Sequence, residues 1–335
     1  MKKEVKKVVV AFSGGVDSST SAFLLKKEGF EIVALFMKLF NSRDLEDKAR
    51  KLAKSMDITF KIIDLRKEFK KVVIDYFIRS YKAGLTPNPC VVCNKEIKFG
   101  LFLKEADKLK TDYFATGHYA KVLKRKDGFH LLKADDLKKD QSYFLYRLSQ
   151  KQLSKVVFPL SLHAKEEVKK IAKKNKIASF NFSESQEVCF APDFAKFFKK
   201  QLGEKKGEIV DKEGKVLGCH NGLWFYTVGQ RKGIGLSGGP YFVIKKDLKN
   251  NCLVVSKEEK DLLRKELKFE KVSWVLKEPK FPVKIKAKIR YGHNPASGTL
   301  FKNKFVFDKP QRAITPGQSV VFYKGKEVVG GGIII

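Results

Sequence analysis

The first half of the chain alternates short apolar runs with longer amphipathic stretches. The runs at 8–12, 32–37 and 59–65 predict buried strands, and the stretches that follow them repeat apolar residues at helical spacing. Strand–helix alternation of this kind is typical of a parallel, doubly wound sheet. Because such sheets bind ligands at the carboxyl ends of their strands, the turn after the first strand is the first place to look for a site.

The second half has a different texture. From about residue 207, short alternating runs are separated by many glycines, which predicts a small β-rich module. From about residue 272, further β-runs such as 283–289 and 305–307 are separated by proline-containing turns, which predicts a terminal β-barrel. The sequence therefore predicts an α/β chain with a doubly wound parallel sheet first, a small central β-rich domain next and a C-terminal β-barrel last.

Composition excludes several classes of protein. The 335 residues are 43% hydrophobic, which excludes wholesale disorder, and 70 Lys and Arg against 37 Asp and Glu give a net charge of +33. That balance suits a polyanionic partner, although the lysines are scattered along every segment and the charge alone identifies none. No apolar run approaches the ~18 residues of a membrane span, and five cysteines without an export signal indicate a reducing compartment. We expect a soluble, cytoplasmic protein with no membrane partner.

The first predicted strand ends in the string Ser-Gly-Gly-Val-Asp-Ser-Ser at 13–19, and a helix follows at once. Two glycines let the backbone approach a phosphate, the serines offer hydroxyls, and the helix N-terminus presents free amides. Asp17 could hold a Mg²⁺ ion that bridges the phosphates. A glycine-rich turn with a Ser or Asp cap uses the same residue types. The string itself resembles the PP-loop of the ATP pyrophosphatases, and it lacks the Gly-Lys-Ser/Thr of a Walker loop.

Three cysteines lie in motifs of their own. A proline-rich turn at 86–95 carries Cys90 and Cys93 just before a predicted helix. A thiol at a helix N-terminus beside Lys95 is expected to have a lowered pKa and to be reactive. A structural metal half-site or two unrelated thiols would show the same spacing. Cys189, alone between apolar neighbours, would by itself predict a small buried side chain.

Taken together, these motifs resemble the tRNA-specific 2-thiouridylase family, enzymes that replace the C2 oxygen of the wobble uridine with sulfur. The resemblance covers essentially the whole chain and rests on an ordered set of motifs. The set also includes the Met37 region, Thr-Gly-His-Tyr-Ala at 116–120, Lys-Asp-Gln-Ser-Tyr-Phe-Leu at 139–145, Ser-Gln-Glu-Val-Cys-Phe at 185–190, Tyr-Thr-Val-Gly-Gln-Arg-Lys-Gly at 226–233 and Arg290-Tyr291. It implies a PP-loop ATP pyrophosphatase domain of the adenine nucleotide alpha hydrolase type at 1–195, a central β-rich, tRNA-contacting domain at 196–265 and a C-terminal β-barrel at 266–335.

The resemblance also implies a cofactor, a substrate and the residues that bind them. ATP with Mg²⁺ would activate the base, and tRNA would be the macromolecular substrate. The implied ATP-site residues are Ala11, Phe12, Ser13, Gly14, Gly15, Val16, Asp17, Ser18, Met37 and Gly117. The implied tRNA-contacting residues are Asn88, Pro89, Cys90, His118, Lys139, Asp140, Gln141, Arg290, Tyr291 and Gln318.

For sulfur transfer, the resemblance implies that Cys189 receives a sulfur atom as a persulfide from a donor, either a persulfide carrier protein or a cysteine desulfurase. Cys93 would release or replace that sulfur, which leaves a Cys93–Cys189 disulfide. The chain departs from the commonest family pattern at Cys90, where an aspartate is usual and is proposed as an acid or base near the uridine. With Cys90 present, three thiols could instead hold a 4Fe–4S cluster through three ligands and leave one iron free to bind sulfide.

Two other functions fit parts of the sequence. Another PP-loop ATP pyrophosphatase, acting on a different base or a small molecule, would explain residues 13–19 but not the pairing of Cys93 with Cys189. A basic RNA-binding protein with a relic loop would release no AMP. We therefore expect an ATP-dependent tRNA-uridine 2-sulfurtransferase that forms AMP and pyrophosphate, with Cys93, Cys189 and Cys90 as its catalytic residues.

Overall fold

The computed structural model describes residues 5–41, 43–177 and 188–335. The first domain is built on five strands, which are β1 (Lys7–Ala11), β2 (Glu31–Lys38), β3 (Thr59–Asp64), β4 (Tyr113–Ala115) and β7 (Val156–Val157). They form one sheet of order β3-β2-β1-β4-β7, and every neighbouring pair runs parallel. β1 occupies the central position of this sheet, between β2 and β4.

Successive residues of β1 point to opposite faces of this sheet. Val8 and Val10 pack on one face with α1 (Val16–Lys27) and α2 (Arg43–Ser55), whereas Val9 packs on the other face with the helices that follow β3. All three valines are fully buried, and each buried side chain of this kind stabilises the fold by roughly 1.5–3 kcal/mol. Helices cover both faces, so the prediction of a doubly wound parallel sheet is confirmed.

Some helices of this domain are joined by wide, π-helical turns. The remaining α-helices are α3 (Arg66–Phe69), α4 (Asp75–Lys82), α5 (Pro89–Val92), α6 (Leu103–Asp107), α7 (Gln150–Leu153) and α8 (Lys165–Lys174). A π-helical segment at Lys70–Ile74 joins α3 to α4, and a second one at Cys93–Phe102 joins α5 to α6. Segments of this type are rare and often occur at functional sites, and the second begins at a candidate catalytic cysteine. Among the described residues, no helix is both long and apolar enough to span a membrane.

The central domain follows the helix α9 (Phe194–Leu202). Its strands are β8 (Gly207–Val210), β9 (Val216–His220), β10 (Phe242–Asp247) and β11 (Cys252–Ser256), which form a sheet of order β10-β11-β8-β9. The helix α9 packs against α4 of the first domain through aromatic rings. The ring of Phe198 lies 4.5 Å from that of Tyr81 and 5.5 Å from that of Phe77. The prediction of a small β-rich central domain is confirmed.

The C-terminal domain is a closed antiparallel barrel. Its six strands are β12 (Leu263–Trp274), β13 (Val283–Lys288), β14 (Ala296–Leu300), β15 (Lys304–Arg312), β16 (Ser319–Lys324) and β17 (Glu327–Ile334). The order is β12-β15-β14-β13-β16-β17, and β12 also pairs with β17, which closes the ring. In β13, Ile285 and Ala287 point inward while Lys284 and Lys286 are exposed. This alternation is the pattern that a barrel wall requires, and the predicted terminal barrel is confirmed.

A hairpin connects the first domain to the barrel. It consists of β5 (Ala120–Arg125) and β6 (Gly128–Lys133). Its position in the sequence predicts that it belongs to the first half of the chain, but the structure also pairs β6 with β17, where Leu132 lies opposite Glu327. Leu131 is fully buried in a core that contains Val321 of the barrel. Alternating residues predict strands but not the sheet edge that the strands join, so the sequence could not show this contact.

Candidate active site

The turn after β1 is pre-formed by its own hydrogen bonds. Gly14 has a φ of +78°, and a Cβ there would lie 3.2 Å from the Cα of Ala49, so the backbone packs directly on α2. The Ser18 hydroxyl lies 3.1 Å from the Ser13 hydroxyl and donates to the Gly15 carbonyl at 3.0 Å. Ser19 donates to the same carbonyl at 2.9 Å. Because the first amides of a helix have no intrahelical partner, this ordered turn at the start of α1 is suited to binding a phosphate.

The residues expected to line an ATP site differ in which of their atoms can contact a nucleotide. The side chain of Phe12 is 1% exposed and lies in the core, so only its backbone can reach a nucleotide. Met37 is half-buried near the end of β2. A Cβ on Gly117 would lie 2.9 Å from backbone atoms of both Asp17 and Ser18. The structure therefore brings Gly117, at the end of β4, into direct contact with the turn after β1.

Asp17 is held by a lysine that sequence reasoning missed. The Lys165 ammonium, at the start of α8, donates to both Asp17 carboxylate oxygens at 2.7 and 2.8 Å, and the Tyr119 hydroxyl donates to Oδ1 at 2.9 Å. The Lys165 side chain is 6% exposed. A Mg²⁺ ion here would share the carboxylate with a buried ammonium, so Asp17 in this arrangement does not fit a metal ligand. No motif signals Lys165 in the sequence, because a lysine at the start of a helical pattern is ordinary.

The candidate thiols begin at α5. Asn88 caps this helix, since its Oδ1 accepts the Val91 amide hydrogen at 3.3 Å, and Pro89 occupies the first helical position. Cys90 is exposed, whereas Cys93 is 9% exposed and belongs to the core of the domain. The two sulfurs of one short motif therefore lie in different environments.

The thiol pKa values differ from the expectation. Burial raises the pKa of Cys93 to about 12, against the lowering effect of the Lys98 charge, and the neighbouring Cys189 and Cys90 raise it further. Burial also raises the pKa of Cys90 and of Cys189, again against Lys98. The predicted lowering of the pKa is wrong because desolvation outweighs the positive charge. Lys95, which suggested the lowering, lies 3.6 Å from Glu96 in a surface ion pair.

Lys98 is the second residue that sequence reasoning missed. It follows Cys93 by five residues within the π-helical segment, where residues with this spacing are hydrogen-bonded neighbours. Its charge acts on all three candidate thiols, and it pairs with no carboxylate in the described part of the chain. The sequence carries no signal for Lys98, because the π-helical turn that brings it near Cys93 is a property of the fold.

Cys189 comes from a distant part of the chain. It is close enough to Cys90 and Cys93 that the charge of one ionised thiol raises the pKa of another. It is exposed, but the next residue anchors it, because the ring of Phe190 packs edge-on at 5.7 Å from Phe69 and at 5.2 Å from Phe77. The rest of this motif, Ser185 to Glu187, lies outside the described residues. The structure therefore brings together the three thiols that the sequence singled out.

These thiols are neither crosslinked nor arranged as a metal site. All five cysteines lie within the described residues and all are free, so the structure does not contain the Cys93–Cys189 disulfide that sulfur transfer is expected to leave. Among residues 5–41, 43–177 and 188–335, no group of three or more His, Cys, Asp or Glu side chains could hold a metal ion. The three thiols are close enough to affect one another's pKa values, but they do not form such a group.

His118 connects the nucleotide turn to the thiols. Its Nδ1 lies 2.7 Å from the Thr116 hydroxyl, and its ring is buried between those of Phe99 and Phe158. Burial, together with the Lys98 charge, lowers the pKa of His118 well below its usual value, so the imidazole is neutral at neutral pH. His118 directly follows the glycine that touches the turn, and it shares Lys98 with the thiols. The two halves of the site are therefore adjacent.

Two of the expected tRNA contacts shape a loop. Asp140 is 3% exposed, and its carboxylate accepts the amide hydrogen of Ser142 at 3.1 Å and the hydroxyl hydrogen at 2.9 Å. Burial raises the pKa of Asp140 despite these bonds. Gln141 accepts the Tyr119 amide hydrogen at 3.0 Å. Lys139 precedes them and is half-buried.

Arg290 and Tyr291 lie on an exposed part of the barrel. Arg290 donates to the Arg312 carbonyl at 3.2 Å, and the ring of Tyr291, which is 37% exposed, lies 4.6 Å from that of Phe144. The Lys288 ammonium lies 5.2 Å from the centre of the Tyr291 ring. An exposed aromatic ring beside two cations is suited to contact bases and phosphates.

Gln318 contacts the cysteine turn. Its amide Nε2 donates to the carbonyls of Thr86 and Pro87 at 2.9 and 3.5 Å, just before Asn88. This contact joins the barrel to the segment that carries Cys90.

Known protein families match consecutive parts of the chain. Residues 6–193 match a tRNA methyl transferase HUP domain, residues 195–257 match a tRNA methyl transferase PRC-barrel domain, and residues 264–334 match an aminomethyltransferase beta-barrel domain. The three matches follow the order of the parallel-sheet domain, the central domain and the barrel.

Curated relatives match the chain over almost its whole length. It is 44% identical over 338 residues to a tRNA-specific 2-thiouridylase MnmA of Syntrophomonas wolfei, with 98% of this chain and 99% of the relative covered. Proteins of the same name are 44% identical over 355 residues in Halothermothrix orenii and 43% identical over 354 residues in Clostridioides difficile, with 98% of each chain covered. The chain therefore belongs to the tRNA-specific 2-thiouridylase family.

Proposed function

We propose that this protein uses ATP to replace the C2 oxygen of a tRNA uridine with sulfur. The observation that carries the proposal is the adjacency of a phosphate-binding turn and three mutually interacting thiols, joined through Gly117 and His118. A methyl transferase, the activity in the names of two matched domains, would not need a thiol that carries sulfur. Sulfur transfer to an activated carbon needs both the thiol and the nucleotide site.

The first step is activation of the uridine. Its C2 oxygen is a poor leaving group, so we propose that it attacks the α-phosphorus of ATP, releases pyrophosphate and becomes an adenylate. The ordered turn of Ser13 to Ser18 would hold the phosphates through amides and hydroxyls. Lys165 and Tyr119 fix Asp17 beside this turn, so the turn keeps its shape when the pyrophosphate leaves.

The second step transfers the sulfur. A persulfide on Cys189 attacks C2, and AMP leaves with the former C2 oxygen. The Cys93 thiolate then attacks the Cys189 sulfur, which forms the Cys93–Cys189 disulfide, breaks the bond to the transferred sulfur and leaves the electron pair on 2-thiouridine. A sulfur donor must supply the persulfide, and an external thiol must reduce the disulfide. Since burial raises the pKa of Cys90, we propose that this thiol acts as a proton donor near the base.

Lys98 supplies the charge that these thiols lack. Buried thiols are poor nucleophiles until ionised, and Lys98 is the cation that favours ionisation of all three. No step of this mechanism passes through Mg²⁺ at Asp17 or through an iron–sulfur cluster, because the contacts of Asp17 and the placement of the three thiols fit neither.

The substrate surface lies where the hairpin, the 139–145 loop and the barrel meet. Lys133, Lys286 and Lys288 lie close together there. Burial lowers the pKa of Lys133 and of Lys288 against the opposing effect of the Asp140 carboxylate, and the charge of a neighbouring lysine lowers it further. The repulsion between neighbouring lysine charges falls when a phosphate binds between them. With Arg290 and Tyr291 they form the surface that we propose for the anticodon arm, from which the target base must be flipped outward. Lys139 and the Asn88–Cys90 segment complete this surface.

Thiolation of unmodified tRNA in vitro tests the proposed function. Purified protein with ATP, a persulfide donor such as a cysteine desulfurase supplied with cysteine, a reducing thiol and tRNA should yield 2-thiouridine, detected by mass spectrometry of the nucleosides, together with AMP. Asp17→Ala, Cys93→Ala and Cys189→Ala should each abolish the product. Cys219→Ala removes an exposed thiol from the central domain and is the matched control with normal activity. Thiolation that persists in Cys189→Ala would refute the sulfur-transfer mechanism.

A further inference from the structure

The barrel satisfies the backbone of the segment that leads to the catalytic thiols. The Thr86 amide donates to the Pro316 carbonyl at 2.9 Å, and the Thr86 carbonyl accepts from Gln318 Nε2 at 2.9 Å. The same Nε2 lies 3.5 Å from the Pro87 carbonyl. Both main-chain polar groups of Thr86 are therefore bound by one barrel turn, residues 315–318, which we call the barrel turn.

The backbone of the barrel turn lies very close to that of the segment that leads to the thiols. Gly317 has a φ of +93°, and a Cβ on it would lie 2.8 Å from the Thr86 nitrogen and 2.9 Å from the Leu85 Cβ. Only glycine fits this conformation and this spacing. The contact is thus a fitted joint between two domains that lie 230 residues apart in sequence, as the separation of Thr86 and Pro316 shows.

The joint is rigidly connected to the thiols. Between Thr86 and Cys90 stand two prolines, whose rings fix φ, and Asn88, whose side chain caps α5. Tyr143 adds a second connection from the same side, because its hydroxyl donates to the Ser319 carbonyl of the barrel at 2.8 Å. We therefore expect a shift of the barrel turn to move Cys90 and Cys93 as well.

We propose that the barrel turn is a positioning element for the thiol centre, and that Gln318 acts on the reaction by holding the Thr86–Pro87 segment. This inference rests on the proposed function. The family resemblance implies that Gln318 contacts tRNA, and the binding of its amide nitrogen to two main-chain carbonyls gives it this further role. A thiol that must meet an activated carbon within a bond's reach depends strongly on such support.

The test compares Gln318→Met, which keeps the length of the side chain and removes only its hydrogen bonds, with Gln318→Ala. Gln150→Ala is the matched control, because Gln150 Nε2 also links two domains by donating to the carbonyls of Phe129 and Val275 at 2.8 and 2.6 Å, away from the thiols. Two quantities are measured for each protein: steady-state thiolation against tRNA concentration, and the rate at which iodoacetamide labels Cys90 and Cys93, resolved by peptide mass spectrometry.

Both Gln318 variants should lower kcat about tenfold and change the KM for tRNA by less than about twofold, since geometry rather than binding is lost. Labelling of Cys90 or Cys93 should change severalfold, while Gln150→Ala should leave labelling and kcat as in the parent. A raised KM with kcat intact would mean that Gln318 touches RNA and would overturn the proposal. So would unchanged values in both Gln318 variants, or equal losses of kcat in Gln150→Ala.

The two measurements also separate this inference from the proposed function. If the parent protein makes no 2-thiouridine, the proposed function fails, but the labelling rates of the free protein still decide whether the barrel turn positions the thiols. If the parent is active and labelling does not respond to Gln318, the positioning role alone fails.

Discussion

The nucleotide turn and the thiol centre are adjacent, yet they are built in opposite ways. In the turn, Ser13, Ser18 and Gly15 bind one another within six residues, and the carboxylate of Asp17 has its own ammonium. In the thiol centre, the sulfurs come from two distant segments, burial opposes their charge, and one lysine serves all of them. A phosphate site can be encoded locally because the phosphate brings its own charge, whereas a nucleophile must be activated by its surroundings.

Gly117→Ala should have the largest effect and should be confined to the nucleotide side. The new Cβ would lie 2.9 Å from backbone atoms of Asp17 and Ser18, which cannot move without displacing the start of α1. We expect tRNA-dependent AMP release to fall about 100-fold, as a displacement near 1 Å at a reacting group can cause. ATP affinity by calorimetry and AMP release are the measurements.

Gly292→Ala is the control, because a Cβ there meets nothing within 4 Å. It should leave ATP affinity and the unfolding temperature unchanged. Iodoacetamide labelling of the thiols in Gly117→Ala should match the parent if the two regions are independent. Altered labelling would show that the segment from Gly117 to His118 couples them mechanically, and the contrast drawn above would be wrong.

Lys98→Met tests the thiol side and should have an intermediate effect. Because Lys98 is the group that opposes the raised thiol pKa values, its loss should move the pH profile of thiol labelling to higher pH. At pH 8, a further tenfold weakening of thiol acidity would lower the thiolate fraction, and with it the labelling rate, about tenfold. Thiolation should fall in parallel, while ATP affinity is retained.

Lys95→Met provides the matched comparison, because Lys95 is three residues away on the same helix and pairs with Glu96 at the surface. Its labelling profile should coincide with that of the parent. A profile unchanged in Lys98→Met would show that another group activates the thiols.

The same contrast explains what the sequence could predict. The parallel sheet, the barrel and the glycine-rich turn follow from periodicity and from residues adjacent in the chain, and the structure has them where they were expected. The thiols were identified only as an ordered set of motifs. Their environment was mispredicted, since burial of Cys93 depends on a core assembled from residues far along the chain. Lys98 and Lys165 could not be singled out among 70 basic residues, because only folding gives them their partners.

His130 lies where the hairpin of β5 and β6 contacts the barrel. Its substitution by glutamine should have the smallest effect of these changes on the thiol centre. His130 is 4% exposed, with Nδ1 2.5 Å from Glu327 and Nε2 2.9 Å from Asp127, while Arg125 contacts Glu327 at 3.0 Å. Burial alone would lower the pKa of His130, but the two carboxylates outweigh it and raise the pKa. A raised histidine pKa contributes stability that is complete below pH ~6.5 and is lost as the pH rises through the folded-state value.

The substitution His130→Gln should therefore lower the free energy of unfolding by about 1 kcal/mol at pH 6 and by less at pH 9. Urea unfolding at the two pH values measures the difference, and thiolation at saturating tRNA should change little, because the thiols keep their own contact with the barrel turn. His163→Gln is the control, since His163 is partly exposed and lies 3.7 Å from Glu167 within one domain. An equal loss at both pH values would mean that His130 is neutral in the folded protein, and a large loss of thiolation would mean that the hairpin, and not only the barrel turn, holds the thiol centre.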